Sequence, residues 1–231
     1  MPRVVKEYAV RRDEILDAAQ RLIYSVGYER MTIRDILDDL QISNGAFYHY
    51  FVSKQALLEA LVERMMDTIE QITHPILHDP HLTACNKLQA LFETASRWET
   101  EQKALILPLL RVWYRDDNAI VRERVRAMSI KRVAPLFTTI IRQGNQEGGF
   151  SVSNPDEVGE LVVTLIQGME QAIAELLLTM DANTDAQFRI ESVIAAYTIA
   201  LERVLGAPTN SLYLVDAETM QEWISSASDN A

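Results

Sequence analysis

Cysteine is almost missing from this chain, and the single Cys85 excludes an internal disulfide framework and agrees with a reducing compartment. Glycine and proline are scarce, at 8 and 7 residues, which excludes collagen-like and low-complexity architectures, and with 48% hydrophobic residues the composition is that of a folded helical protein. No apolar run approaches membrane-spanning length, and the basic N-terminus lacks the apolar stretch of a secretory signal, so a cytoplasmic protein without membrane association is expected. No internal repeat, phosphate-binding glycine loop or strand-rich segment occurs. No Ser-His-Asp, Cys-His or paired-carboxylate spacing marks an enzyme, and no cofactor is expected. At 231 residues the chain has room for one large domain or two modest ones.

The net charge of −11 is unevenly placed. Residues 1 to 54 hold 8 Lys or Arg and 8 Asp or Glu, so the whole acidic excess falls on residues 55 to 231. A neutral head can approach a polyanion while an acidic body stays away from it, and Arg3, Lys6, Arg11 and Arg12 are candidates for a basic N-terminal arm.

What is present is concentrated in residues 32 to 54. Thr32, with Asp35 three residues on, has the spacing of a capping box, and Ile33, Ile36, Leu37 and Leu40 follow at helical spacing on one face. Gln41 and Ile42 interrupt this helix, Ser43 can cap a second, and Phe47, Tyr50 and Phe51 give that one an apolar face. Two helices joined by so short a turn make a compact corner, whose outer side carries Asn44, Gly45, Ala46, Tyr48 and His49. Small residues let a backbone approach base edges, Asn offers an amide that matches adenine, Arg34 suits guanine, and the Tyr48 hydroxyl and Lys54 suit phosphates.

Gly27-Tyr28, Thr-Ile-Arg-Asp-Ile at 32 to 36, and Ser43 through Phe51 running into Ser53-Lys54-Gln55-Ala56-Leu57-Leu58 together resemble the DNA-binding domain of the TetR family of transcriptional regulators. The resemblance covers about residues 10 to 60, with a first helix from Arg12 to Val26 ending at Gly27. It implies Phe47 and Phe51 as core, Tyr48 and Lys54 at phosphates, and Arg34, Asn44, Ala46 and His49 toward bases, with Thr32, Ser43 and Gly45 completing the DNA-binding set. Three positions depart from the family's pattern: Gln41 where glycine is common, Asn44 where lysine is common, and Leu37 where a small residue is usual. Gln41 then requires a left-handed backbone, and one expected phosphate contact is lost.

Beyond the head, apolar spacing predicts a helix from Ser53 ending before His74-Pro75, then helices over 83–101, 103–114 and 118–146, the last closed by Gly148-Gly149. Asn154-Pro155-Asp156-Glu157 is a strong helix start, and the last two long helices are placed at 155–180 and 184–205. The fold class expected is all-α: a three-helix helix-turn-helix head (1–52), a larger helical ligand-binding and dimerisation body (53–207) and a C-terminal tail (208–231).

Val158, Leu161, Leu165 and Met169, with Val193, Ile194, Tyr197 and Leu201, spread over more than one helix face and need a second partner. Monomer core and a second copy of the chain both meet that need; the resemblance implies a homodimer through a four-helix bundle. It also implies a small-molecule effector in the body, with Trp98, Trp113, Tyr114, Met128 and Phe137 as candidate contacts, although such residues are more often packing. Pockets of this kind favour an apolar or aromatic ligand. The implied function is a ligand-responsive repressor of a pseudo-palindromic operator in double-stranded DNA. The competing reading is a metal-binding sensor or enzyme using His74, His78, His81 and Cys85, spaced four, three and four apart, which Pro75 and Pro80 oppose by breaking the helix that spacing needs.

Overall fold

The computed structural model describes residues 8–179, 185–215 and 217–228, and over these the chain is helices joined by short turns. In order they are α1 (Tyr8–Val26), α2 (Ile33–Leu40), α3 (Asn44–Tyr48), α4 (Lys54–Leu77), α5 (Ala84–Glu101), α6 (Lys103–Trp113), a 3-10 turn (Asp116–Asn118), α7 (Ala119–Glu147), α8 (Pro155–Thr179), α9 (Asp185–Leu205) and α10 (Ala217–Ser228). They group into two compact units, Met1–Asp67 with Ala104–Arg122 and Thr68–Lys103 with Glu123–Ala231.

The first unit is built around Ile15, Leu16, Ala19 and Ile23 of α1, Met31, Ile36 of α2, Phe47, Phe51, and Leu57 and Leu58 of α4, all fully or almost fully buried. Leu105, Leu109 and Val112 of α6 join that core. Asn118 ends the segment by donating its amide to the Val112 carbonyl at 2.9 Å, and Gln55 reaches the Asp117 carbonyl at 3.1 Å.

The second unit packs α8 against α9 over a core that includes Ile140, Ile141, Val162, Val163, Met169, Leu201 and Leu205. Gly159 lies so close to α7 that a Cβ there would stand 2.9 Å from the Ala134 carbonyl oxygen, so this contact accepts only glycine. Polar side chains serve helix ends. Lys87 donates to the Leu77 carbonyl at 2.8 Å, closing α4, and the Glu147 carboxylate accepts from the Ala84 N–H at 2.8 Å, opening α5. Glu202, only 4% exposed, accepts from the N–H groups of Ser211 and Leu212 at 2.8 and 3.1 Å. That holds the segment after α9 so that Leu212 and Leu214 enter the core.

Several element limits differ from the sequence reading. α1 begins at Tyr8 instead of Arg12, and α3 is five residues long. α4 runs through His74-Pro75 to Leu77, because a proline two residues from the end disturbs only the final turn. Residues after 208 are no loose tail where described: α10 packs on α5 and α8, with Trp223 Nε1 donating to Thr100 Oγ1 at 3.0 Å and Lys103 paired to Glu222 at 2.6 Å. Among the described residues one helix, α8, is long and apolar enough to cross a membrane, with mean hydropathy 1.5, contrary to the expectation that no stretch comes near that length. Gln167, Glu170 and Gln171 interrupt its apolar run, and Val162, Val163 and Met169 are committed to the protein core.

Candidate nucleic-acid interface

The corner forms from local chemistry. Thr32 is extended and caps α2: its hydroxyl accepts from the Asp35 N–H at 3.2 Å and donates to Asp35 Oδ2 at 2.8 Å, while the Thr32 N–H donates to the same oxygen at 2.7 Å. The Thr32 backbone and hydroxyl bonds hold the Asp35 carboxyl below its ordinary pKa. Gln41 ends α2 in the left-handed region, φ 51 and ψ 45, a conformation that costs a non-glycine residue roughly 1–2 kcal/mol. Ser43 Oγ then accepts from the Ala46 N–H at 3.2 Å and starts α3. Phe47 is fully buried and anchors α3, and Phe51, 2% exposed, follows it into the core.

That anchoring leaves the opposite surface of α3 open. Ser43, Asn44, Gly45, Tyr48 and His49 are exposed, and Ala46 is half-buried. The Tyr48 ring stands edge-on to Phe47 at 5.5 Å, and His49 is edge-on to Tyr8 and Tyr50 at 5.7 and 5.0 Å. Arg34 points out from α2 with its side chain 85% exposed and Nε 3.7 Å from Asp38 one turn on. An exposed ion pair of this kind is weak enough for the guanidinium to be redirected.

Lys54, expected at a phosphate, is engaged within the protein. Its Nζ donates to the carbonyls of Tyr28 and Met31 at 2.6 Å each and of Glu29 at 3.3 Å, so its donors are spent inside the protein. Withdrawal from water pulls its pKa below the ordinary lysine value, with Glu29 and Asp35 opposing that shift. Burial pushes the neighbouring Tyr28 hydroxyl up to about 12. Arg3 and Lys6 lie outside the described residues. Arg11 and Arg12 belong to α1, where they pair with Glu14 at 2.9 Å and Glu63 at 3.7 Å, and Arg12 also covers the Phe51 ring.

The other expected sites are split or absorbed. Trp113 packs on the core of the first unit and Arg122 covers the Tyr114 ring, whereas Trp98, Met128 and Phe137 belong to the second unit. Phe137 is 7% exposed and stacks on Phe92 with ring centroids 6.5 Å apart, so it fills core. Of the expected interface residues, Met169 and Leu201 are buried in their own chain, and Val158, Val193, Ile194 and Tyr197 pack beside them. Leu161, at 42% exposed, and half-buried Leu165 remain available. Phe188 and Ile199, passed over in the sequence, are 72% and 45% exposed; their signal was a position on α9 opposite Ile190, Ile194 and Leu201.

No group of three His, Cys, Asp or Glu fit to hold a metal occurs among the described residues. His74 and His78 stack at 4.1 Å, the His81 N–H donates to Asp79 at 2.8 Å, and the Cys85 thiol turns to the Ser211 carbonyl. The helix ends at Leu77 and the spacing of four, three and four is broken across the loop, which removes the basis for the metal reading.

A capped, short, exposed helix on a three-helix corner, joined to an all-helical second unit, defines a helix-turn-helix transcriptional regulator. A family model for bacterial regulatory proteins of the tetR family matches residues 15–61, and one for the tetracyclin repressor-like C-terminal domain matches residues 113–181. The chain belongs to the TetR family, as a ligand-responsive DNA-binding transcriptional regulator. It is similar to the HTH-type transcriptional repressor KstR2 of Mycobacterium tuberculosis, 27% identical over 171 residues that cover 72% of this chain and 81% of that protein. In fold it is like a TetR-family transcriptional regulator from Pectobacterium atrosepticum, at 19% identity and TM-score 0.62 over 88% of this chain and 100% of that one. It is also like SmeT in its complex with triclosan, at 20% identity and TM-score 0.57 over 90% of this chain and 98% of that one.

Two acids that sequence spacing did not single out stand together in the second unit. Glu99 of α5 is pushed up to about 8 by withdrawal from water and then by the charge of Glu170, and Glu170 of α8 is pushed up to about 7 by withdrawal from water. Glu170 is nonetheless open to solvent in the single chain. The Glu99 carboxyl keeps its proton in the folded chain at pH values where the unfolded chain has released it, so its contribution to stability declines as pH rises from about 4.5 to about 8. The lowered carboxyls of Asp35 and Glu147 act in the opposite sense only below the ordinary carboxylate range. Urea midpoints should therefore fall across that window, and fall less for Glu99→Gln; equal pH dependence in both proteins contradicts the assignment.

Proposed function

We propose that the protein is a homodimeric, cytoplasmic repressor that places one α3 in each of two major grooves of a pseudo-palindromic operator and is released by a small-molecule effector. The observation that carries this reading is the exposed row Asn44, Gly45, Tyr48 and His49, fixed by the buried Phe47 behind it. Asn44 and Arg34 have base-reading chemistry, and Ala46 and Gly45 permit close approach. Thr32 and Ser43, at the N-termini of α2 and α3, and the Tyr48 hydroxyl suit the phosphate backbone. The name of KstR2 supports repression as the sign of regulation.

Selection of bound duplexes from random-sequence DNA tests the reading. A two-half-site consensus is expected; recovery of random sequence would end it. On the selected duplex, Tyr48→Phe should weaken binding to specific and scrambled DNA alike, and Arg34→Ala or Asn44→Ala should cost about 1–3 kcal/mol on the specific duplex only. Equal losses from all three would overturn the division of roles.

For the dimer, the face of α8 and α9 carrying Leu161, Leu165 and Ile199 is the proposed seam. Leu161→Glu would bury an unpaired charge there, at a cost of several kcal/mol, and should shift light scattering from dimer to monomer at micromolar concentration. A variant still dimeric, with unchanged affinity, would move the seam elsewhere.

For the effector, SmeT binds triclosan, an example within this fold of a regulator holding a small molecule. The apolar and aromatic residues Trp98 and Met128 favour an apolar or aromatic ligand. The acid pair favours a second reading, an apolar ligand that also carries an ammonium group. A thermal-shift screen with matched neutral and amine-bearing aromatics separates them. The second reading expects stabilisation by the amines that disappears in Glu170→Gln, and stabilisation by the neutral compounds alone would exclude it.

A further inference from the structure

Lys54 is the first residue of α4, and its side chain turns back onto the loop between α1 and α2. The ammonium has three N–H donors, and the carbonyls of Tyr28, Met31 and Glu29 take them. It also lies 4.4 Å from the centroid of the Tyr28 ring, close enough for a cation–π contact. Tyr28 returns the contact, its hydroxyl donating to the Lys54 carbonyl at 2.9 Å. Side chain and backbone of each residue therefore hold the other across 26 positions of sequence.

The loop gripped in this way sets where α2 starts. It leaves α1 at Gly27, whose φ of 80 only glycine adopts without strain, passes the fully buried Met31 and ends at Thr32, the cap of α2. Glu29 is held from a second direction, its carboxylate paired to Arg115. From Thr32 onward α2 is rigid through its capping box, and the Gln41 turn passes its direction to α3. A displacement of residues 28–31 thus becomes a displacement of the row Asn44 to His49.

We propose that Lys54 is a positioning residue for DNA recognition: its ammonium locks the α1–α2 loop onto the start of α4 and so sets the pose of α3, without contacting DNA. Lysine suits the task because a compact ammonium on a flexible stem can meet three carbonyls converging from different directions. A planar guanidinium cannot. The inference rests on the DNA-binding reading of α3.

The test uses Lys54→Arg, Lys54→Met and Tyr28→Phe, each titrated with the selected duplex and a scrambled copy at several salt concentrations, at a temperature where circular dichroism shows every variant folded. Both Lys54 variants are expected to bind the selected duplex about tenfold more weakly, the loss of a charged hydrogen-bond set, with an unchanged salt slope and nearly unchanged affinity for the scrambled copy. Tyr28→Phe should lose less, in the same direction. If Lys54→Arg binds normally while Lys54→Met reduces the salt slope by about 0.9, the ammonium sits on a phosphate and the proposal fails. If the variants melt earlier yet bind the selected duplex with full affinity, Lys54 serves stability alone and the proposal also fails. Should Lys54→Met be insoluble, Tyr28→Phe carries the decision. If the unmodified protein selects no duplex, the DNA reading is what has failed; amide exchange in α2 and α3 then decides the clamp, with faster exchange in Lys54→Met supporting it and unchanged exchange overturning it.

Discussion

A helix of five residues has no independent stability in water, because the cost of fixing its first turn is not recovered over so short a length. α3 is such a helix, and it carries the surface proposed to meet DNA. Its existence depends on the burial of Phe47, whose complete removal from water contributes on the order of 1.5–3 kcal/mol, and on the Ser43 cap, worth about 1 kcal/mol. Everything else in the first unit serves those two contacts. α1 supplies the wall that Phe47 meets, α2 delivers the chain at the right place through Gln41, and Phe51 closes the far side. Accepting a left-handed glutamine at the turn shows how strongly tertiary packing overrides local preference at this corner.

Electrostatics follow the same division. The first 54 residues are neutral and the acidic excess lies beyond them, so the chain is repelled from DNA everywhere except at its head. Among the described residues of the head, several cations are already engaged: Arg11 with Glu14, Arg12 with Glu63, Arg21 with Asp39 and Lys54 with three carbonyls. Among the described residues, exposed Arg34, with its long contact to Asp38, is the head's most available base-reading cation. In the proposed DNA complex the balance then shifts from phosphate neutralisation toward groove contacts by Asn44 and Arg34.

How much was legible in the sequence follows the range of each interaction. The Thr32–Asp35 box, the left-handed Gln41, the Ser43 cap, the Gly27 stop and the burial of Phe47 and Phe51 were all readable, since each is decided by residues within three or four positions or by a familiar pattern. Family resemblance carried the rest of the head. What was not readable joins distant positions: Lys54 with Tyr28, Glu99 with Glu170, and Glu202 with the segment that brings Leu212 into the core. On α8 and α9 periodicity showed two apolar faces but not which was inner. Met169 and Leu201 turned inward, and Phe188 and Ile199 outward.

Lys54 also resolves what first looks like misplaced charge. A cation in the first turn of a helix faces the positive end of that helix's dipole, and α4 begins with one. The ammonium, however, leaves α4 and settles on carbonyls that follow the end of α1, where the dipole is negative. α1 has no basic residue in its own last turn. Arg30 partly fills that gap, its Nε donating to the Val26 carbonyl at 2.7 Å, and Lys54 supplies a second cation from the far side of the corner. The stop of one helix is thus stabilised by the start of another, which gives the three-helix head a reason to move as one piece: separating α4 from the α1–α2 loop would leave both an unpartnered ammonium and uncapped carbonyls, and each is costly where water is partly excluded.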